Sequence, residues 1–394
     1  MRGPVLAVAV VLGVIAVGLA VSLMAGQTDA PPAQQPDPID MTLPIQPIDP
    51  VFPVQPGGSG PALVWQAAPL PLGGTRAEWL VADHDRFYMS IIGSSQLGPG
   101  TYWLSSEDGR SWTDITPSDE LRPMVSSDRN SEITAWNGVV IAVSFPDVLT
   151  LDSRTGRFEI QQLQLPDSYT DPQTWCEPDG LCRPEVTVTA GDRGALLIVE
   201  GPDPGSLAAW HSNDGFEWSP LTEIPGDRIL VLAAAVDGGF ILTGLDRGGC
   251  GVWHSRDAMK WEHIHTLNEC PRGLVAWKDE AVAVHLGSLW RISTKTVTPI
   301  LPEELSVLRR GEVTVGAGEN GIVVPYEAIQ PDWDFEDGLW PPLNAVVEFS
   351  TDGRVWSRRV LPDPISDASN HVEIAGTTVV LLTEHMIYIG TPEP

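Results

Sequence analysis

Lysine is almost absent from this 394-residue chain, occurring only at Lys260, Lys278 and Lys295. Lys and Arg together number 23 against 52 Asp and Glu, a formal net charge of −29. Phosphate backbones are held by clustered cations, so this balance argues against nucleic-acid binding. Cysteine is scarce too: there are four, and no Cys-x-x-Cys of the kind that builds structural zinc sites. Gly-x-Ser-x-Gly, phosphate-loop and dinucleotide fingerprints are all missing. Tyr (5) and Phe (8) are outnumbered by 15 Trp. What the chain does have is turn material, 38 Gly and 36 Pro, with 42% hydrophobic residues for a core. That mixture suits many short strands better than long helices.

The run Val5 to Ala25 carries no charge. As a helix it spans roughly 30 Å, the thickness of a bilayer core. Arg2 precedes it and no Lys or Arg follows until Arg76, which places the N-terminus in the cytoplasm and the rest outside. The reading is a single-pass signal-anchor over residues 1–25; a cleaved signal peptide would instead give a secreted protein. Residues 26–61 are rich in proline and end in Gly57-Gly58-Ser59-Gly60. This composition reads as a semi-rigid extracellular linker holding a domain, residues 62–394, off the membrane.

That domain repeats itself. Ser106-Glu107-Asp108-Gly109-Arg110-Ser111-Trp112 recurs as Ser212-Asn213-Asp214-Gly215-Phe216-Glu217-Trp218. It returns as Ser255-Arg256-Asp257-Ala258-Met259-Lys260-Trp261 and Ser350-Thr351-Asp352-Gly353-Arg354-Val355-Trp356. Asp accepts from turn N–H groups, Gly takes the positive φ, Ser bonds locally and Trp packs on the sheet. The pattern resembles the Asp-box, or BNR, repeat of sialidase-like β-propellers. Two degenerate hairpins, near residues 154 and 294, bring the count to six. Three strand-like runs remain at the C-terminus, and Ala62–Gln66 is a lone strand at the start. Pairing that strand with the last three predicts an all-β, seven-bladed propeller without exposed edges.

The turn motif joins the third and fourth strand of a blade, so all four copies fall on one end of the ring. The insertions at 166–184 and 326–342 fall on the other end. Loops of that kind carry binding. Trp175, Trp333 and Trp340 offer stacking faces, while Asp332, Asp334, Glu336 and Asp337 offer acceptors for hydroxyls, a cationic group or Ca²⁺. An even cysteine count in an exported chain predicts Cys176–Cys182 and Cys250–Cys270 disulfides.

The sialidase resemblance implies three arginines, a Tyr–Glu pair, an acid Asp and a Phe/Tyr-Arg-Ile-Pro motif near the first strand. Here that region reads Gly73-Gly74-Thr75-Arg76-Ala77-Glu78-Trp79, and no catalytic set is found. The resemblance therefore covers the fold and the turn, with no metal and no catalytic residue expected. The reading is a membrane-anchored binding or scaffolding module for a glycan, peptide or protein partner. The alternative is a cell-surface glycoside hydrolase on the same ring.

Overall fold

The second strands of the blades carry runs such as Val139–Val143 and Ala195–Val199, which are apolar at every position. A strand reads this way when both of its faces are buried. In the computed structural model, Val140 and Ala142 pack toward blade 1 while Ile141 and Val143 pack toward blade 3. Seven buried apolar clusters result, one in each seam between neighbouring blades.

The structure describes residues 40–42, 46–47, 63–93, 100–117, 132–166, 169, 185–201, 206–222, 224–225, 228–246, 248–285, 288–300, 309–310, 314–329, 343–361, 371–383 and 386–393. Blade 1 is Arg76–Ala82, Phe87–Ile92, Thr101–Ser106 and Ser111–Asp114. Blade 2 is Glu132–Trp136, Val139–Ser144, Asp147–Asp152 and Phe158–Gln162, and blade 3 is Val186–Gly191, Gly194–Glu200, Leu207–Ser212 and Ser219–Pro220. Blade 4 comprises Arg228–Val236, Gly239–Asp246, Gly249–Ser255 and Glu262–Leu267; blade 5 comprises Gly273–Trp277, Glu280–His285, Ser288–Ile292 and Val297–Pro299. Blade 6 is Gly316–Gly318, Gly321–Ile329, Leu343–Ser350 and Ser357–Leu361. All pairs are antiparallel, and the first strand of each blade lies beside that of the next.

Blade 7 takes three strands from the C-terminus, His371–Ala375, Thr378–Leu382 and Met386–Pro392. Its fourth is Leu63–Pro69, whose seven residues pair from Leu63 opposite Pro392 to Pro69 opposite Met386. The lone N-terminal strand thus closes the ring.

The linker departs from its expected role as a spacer. Asp40–Thr42 adds a fifth strand outside Ser111–Asp114 of blade 1, and Gln46–Pro47 adds one outside Leu63–Pro69 of blade 7. An outer strand presents a row of unpaired N–H and C=O groups, and an extended proline-rich chain satisfies them cheaply. The Val5–Ala25 run lies outside the described residues, and among the described residues no helix is long and apolar enough to cross a membrane.

Candidate functional site

At one end of the ring the first turn of every blade but blade 1 has two residues. First and second strands are joined by pairs such as Asn137-Gly138 and Lys278-Asp279. Asn137, Gly138, Lys278 and Gly376 hold positive φ there, as tight hairpins require. The third-to-fourth turns share one pattern of hydrogen bonds. Asp108 Oδ1 accepts from the N–H of Arg110 and Ser111 at 2.7 Å each, and Ser106 Oγ accepts from Gly109 N–H at 2.8 Å. The same carboxylate contacts recur at Asp214, Asp257 and Asp352. Ser212, Ser255 and Ser350 each donate Oγ–H to their Asp, as Ser106 does. Burial opposes ionisation of Asp108 and Asp214, yet their donors outweigh it and hold both carboxyls below the usual range.

Trp112, Trp218 and Trp261 donate Nε1–H to the carbonyls of Gly109, Gly215 and Ala258. Trp356 departs from the series and reaches Ile300 O at 3.2 Å. Ala258 stands where the other copies have Gly and still adopts φ 60°. Each turn leans on the preceding blade: a Cβ at Gly109 would sit 2.6 Å from Val380 of blade 7. Both degenerate hairpins keep part of the device, with Asp152 accepting from Arg154 and Thr155 N–H, and Ser293 Oγ from Thr296 N–H.

The same end surrounds a cavity of about 130 Å³ at the mouth of the central channel, lined by Asp83, His84, Asp192, Asp237, Lys278 and Glu319 among others. These come from five different blades. His84 reaches two of the others, with Nδ1 3.3 Å from Glu319 Oε1 and Nε2 3.9 Å from Asp192 Oδ1. Its carbonyl accepts from Gly376 N–H at 2.7 Å. Asp237 is held above the ordinary carboxylate range, first by burial and then by Asp192, Asp279 and Glu319, with His84 opposing them. The sequence reading missed this mouth. Its signal was an acid in the first turn of five blades: Asp83, Asp192, Asp237, Asp279 and Glu319.

Inner strands carry further acids. Burial alone pushes the Glu373 carboxyl up to about 8. Burial lowers His371, against a hydrogen bond to the Glu78 backbone. Between about pH 4.5 and 8 the unfolded chain is ionised at Glu373 while the folded ring keeps the proton. Folding then takes up a proton, so stability falls as pH rises through that window. Glu373→Gln is expected to flatten the fall, its melting temperature gaining on the parent's by a few degrees from pH 5 to pH 8. Matching pH profiles for the two chains would show that the carboxyl is solvated.

The opposite end holds the long connections. The chain leaves Phe158–Gln162 and returns at Val186–Gly191 there, and likewise between Gly321–Ile329 and Leu343–Ser350. Trp175, Cys176, Cys182, Asp332, Trp333, Asp334, Glu336, Asp337 and Trp340 lie outside the described residues. Cys250 and Cys270 are bonded, with Cα atoms 4.9 Å apart. Beside Cys270, Glu269 pairs with His285 Nε2, and the His285 ring stacks on Trp290 at 6.1 Å between centroids. The bridge closes a 20-residue separation, worth roughly 3 kcal/mol by the chain-entropy estimate. Cys250→Ser/Cys270→Ser is expected to lose about that much in urea unfolding, and an unchanged midpoint would count against it.

A Tyr–Glu contact does occur in the ring. Tyr326 donates its hydroxyl to Glu348 Oε1 at 2.6 Å, and Arg358 donates Nε–H and Nη2–H to the same oxygen at 3.0 and 2.8 Å. Glu348 is 2% exposed and shares the blade 5–6 seam with Val346. The trio pins strands together inside blade 6. Among the described residues, no group of three or more His, Cys, Asp or Glu is arranged to hold a metal.

No family model matches the chain, and no characterised protein matches it by sequence. Solved structures do. A streptogramin B lyase aligns at 11% identity over 84% of this chain and 98% of its own, with a TM-score of 0.54. Virginiamycin B lyase from Staphylococcus aureus aligns at 13% identity over 84% and 100%, with a TM-score of 0.53. A catalytically inactive variant of the latter with quinupristin gives 12%, 84%, 100% and 0.52. At these identities the likeness is one of fold alone, and the fold is a seven-bladed β-propeller.

Proposed function

We propose that the chain is a membrane-anchored, extracellular binding or scaffolding module, its N-terminus cytoplasmic and its ring outside the cell. The ligand would be a glycan, a peptide or a protein, and the Ser-x-Asp turns would serve as BNR-like structural corners. The observation supporting this reading is the asymmetry of the ring. First and second strands are joined by only two residues in six of the seven blades, while long connections such as 163–185 and 330–342 lie at the other end. A rigid scaffold that concentrates its variable length on one face is built for recognition.

On this reading Trp175, Trp333 and Trp340 stack on the ligand and Asp332, Asp334, Glu336 and Asp337 accept from it, directly or through Ca²⁺. A glycan and peptide array probed with the chain in nanodiscs tests it. Trp333→Ala/Asp334→Ala is expected to weaken binding at least tenfold while the melting temperature stays put. Loss of binding on Arg110→Ala or Arg354→Ala, at the tight-turn end, with no effect of the first pair would overturn the site. Sensitivity to a chelator would identify the acids as calcium ligands.

A further inference from the structure

Blade 7 meets blade 1 where His371–Ala375 comes to lie beside Arg76–Ala82. The two added strands sit on the outer edges of these same two blades. Asp40, Met41 and Thr42 stand opposite Thr113, Trp112 and Ser111; Gln46 and Pro47 stand opposite Ala67 and Gln66. The two short strands therefore lie on either side of the seam, on the outside, and precede the closure strand in the chain.

The pairings are unequal. Closure uses all seven residues of Leu63–Pro69, whereas the added strands pair through three residues and two. Pro47 brings no N–H to its pair. The closure strand also buries Leu63, Trp65 and Ala68 in the adjoining seams. Opening should follow contact, with the lightly paired element leaving first. When it leaves, Ser111–Asp114 and Leu63–Pro69 become open edges, which accept an extended chain.

We propose that the outer edges of blades 1 and 7 form one strand-accepting groove across the seam, with Asp40–Thr42 and Gln46–Pro47 as its tethered ligand. The segment is a strap that lifts while the ring stays shut. Its occupant is this chain's own sequence, delivered by the linker, so a load on the tether is felt at the strap before the closure strand.

Hydrogen exchange on the full chain tests this. Met41→Pro/Thr42→Pro removes two successive N–H groups, covering either orientation of the strand. Amides of Ser111–Asp114 are expected to exchange about tenfold faster in this variant, while Arg76–Ala82 and His371–Ala375 keep their rates. A synthetic peptide of residues 38–48, added at millimolar concentration, should slow exchange at Ser111–Asp114 again. Unchanged exchange at Ser111–Asp114 would mean that nothing is strapped there. Simultaneous loss of protection in the inner strands would mean that the strap cannot lift apart from the ring. Failure of the peptide to restore protection would remove the groove.

Discussion

A chain lacking residues 1–70 is expected to lose its cooperative melting transition and elute as aggregate, whereas one lacking residues 1–58 keeps a monomeric ring. The first deletion removes Leu63–Pro69, the outer strand of blade 7. Leu63, Trp65 and Leu70 are 2, 6 and 3% exposed, and they fill the seams on both sides of blade 7. Each contributes roughly 1.5–3 kcal/mol by burial. The ladder to Met386–Pro392 goes with them and leaves that strand as an open edge. Against a net stability of about 5–15 kcal/mol, such losses decide whether the ring exists. Removing residues 1–58 leaves the closure strand in place and takes away the strap alone. Gel filtration and calorimetry on the two truncations give the answer; superimposable transitions would mean that the ring does not close through this strand.

Trp112→Ala is expected to cost about 3–5 kcal/mol, the range for deleting a large core aromatic. The indole is fully buried in the blade 7–blade 1 seam among Phe87, Met89 and Val380, and its Nε1–H is bonded to Gly109 O at 3.0 Å. Truncation leaves both a cavity and an unsatisfied carbonyl. Trp261→Ala is the internal control, because that indole makes the same bond while only partly buried, and it should lose less. Urea unfolding of the two variants measures the difference. A loss at Trp112 below about 1 kcal/mol, or a larger one at Trp261, would contradict this account of the corner.

The corners were legible because their chemistry is local. Ser, Asp, Gly and Trp within seven residues bond to one another's backbone, so the pattern in the chain is the pattern in space. Closure was legible by strand arithmetic, and Cys250–Cys270 because Cys250 begins a third strand and Cys270 lies on the connection that follows that blade, at the same end. The strap was not legible. Proline-rich sequence is extended whether it stands free or lies along an edge, and the demand of Ser111–Asp114 for a partner decides between them. Glu373 reads as a solvated strand acid until the inner strands enclose it. Tyr326, Glu348 and Arg358 are separated by 22 and 10 residues in the chain, and cross-strand register alone brings them together. The binding assignment to 166–184 and 326–342 rests on topology and composition: Tyr326 to Ile329 belong to the second strand of blade 6, and the candidate ligand-binding residues from Trp175 to Trp340 lie outside the described ones.

The tight-turn end has a bearing on how this protein can change over evolutionary time. The register between first and second strands is set there by two-residue turns in six of the seven blades. A residue added to one of them would swap the two faces of a strand and empty two seams at once. At the other end, doubling a connection adds only about 0.6 kcal/mol of closure entropy. Insertions, deletions and grafted segments are thus nearly neutral on one side of the molecule and lethal on the other. Descendants of this chain can trade one specificity for another while inheriting the same chassis.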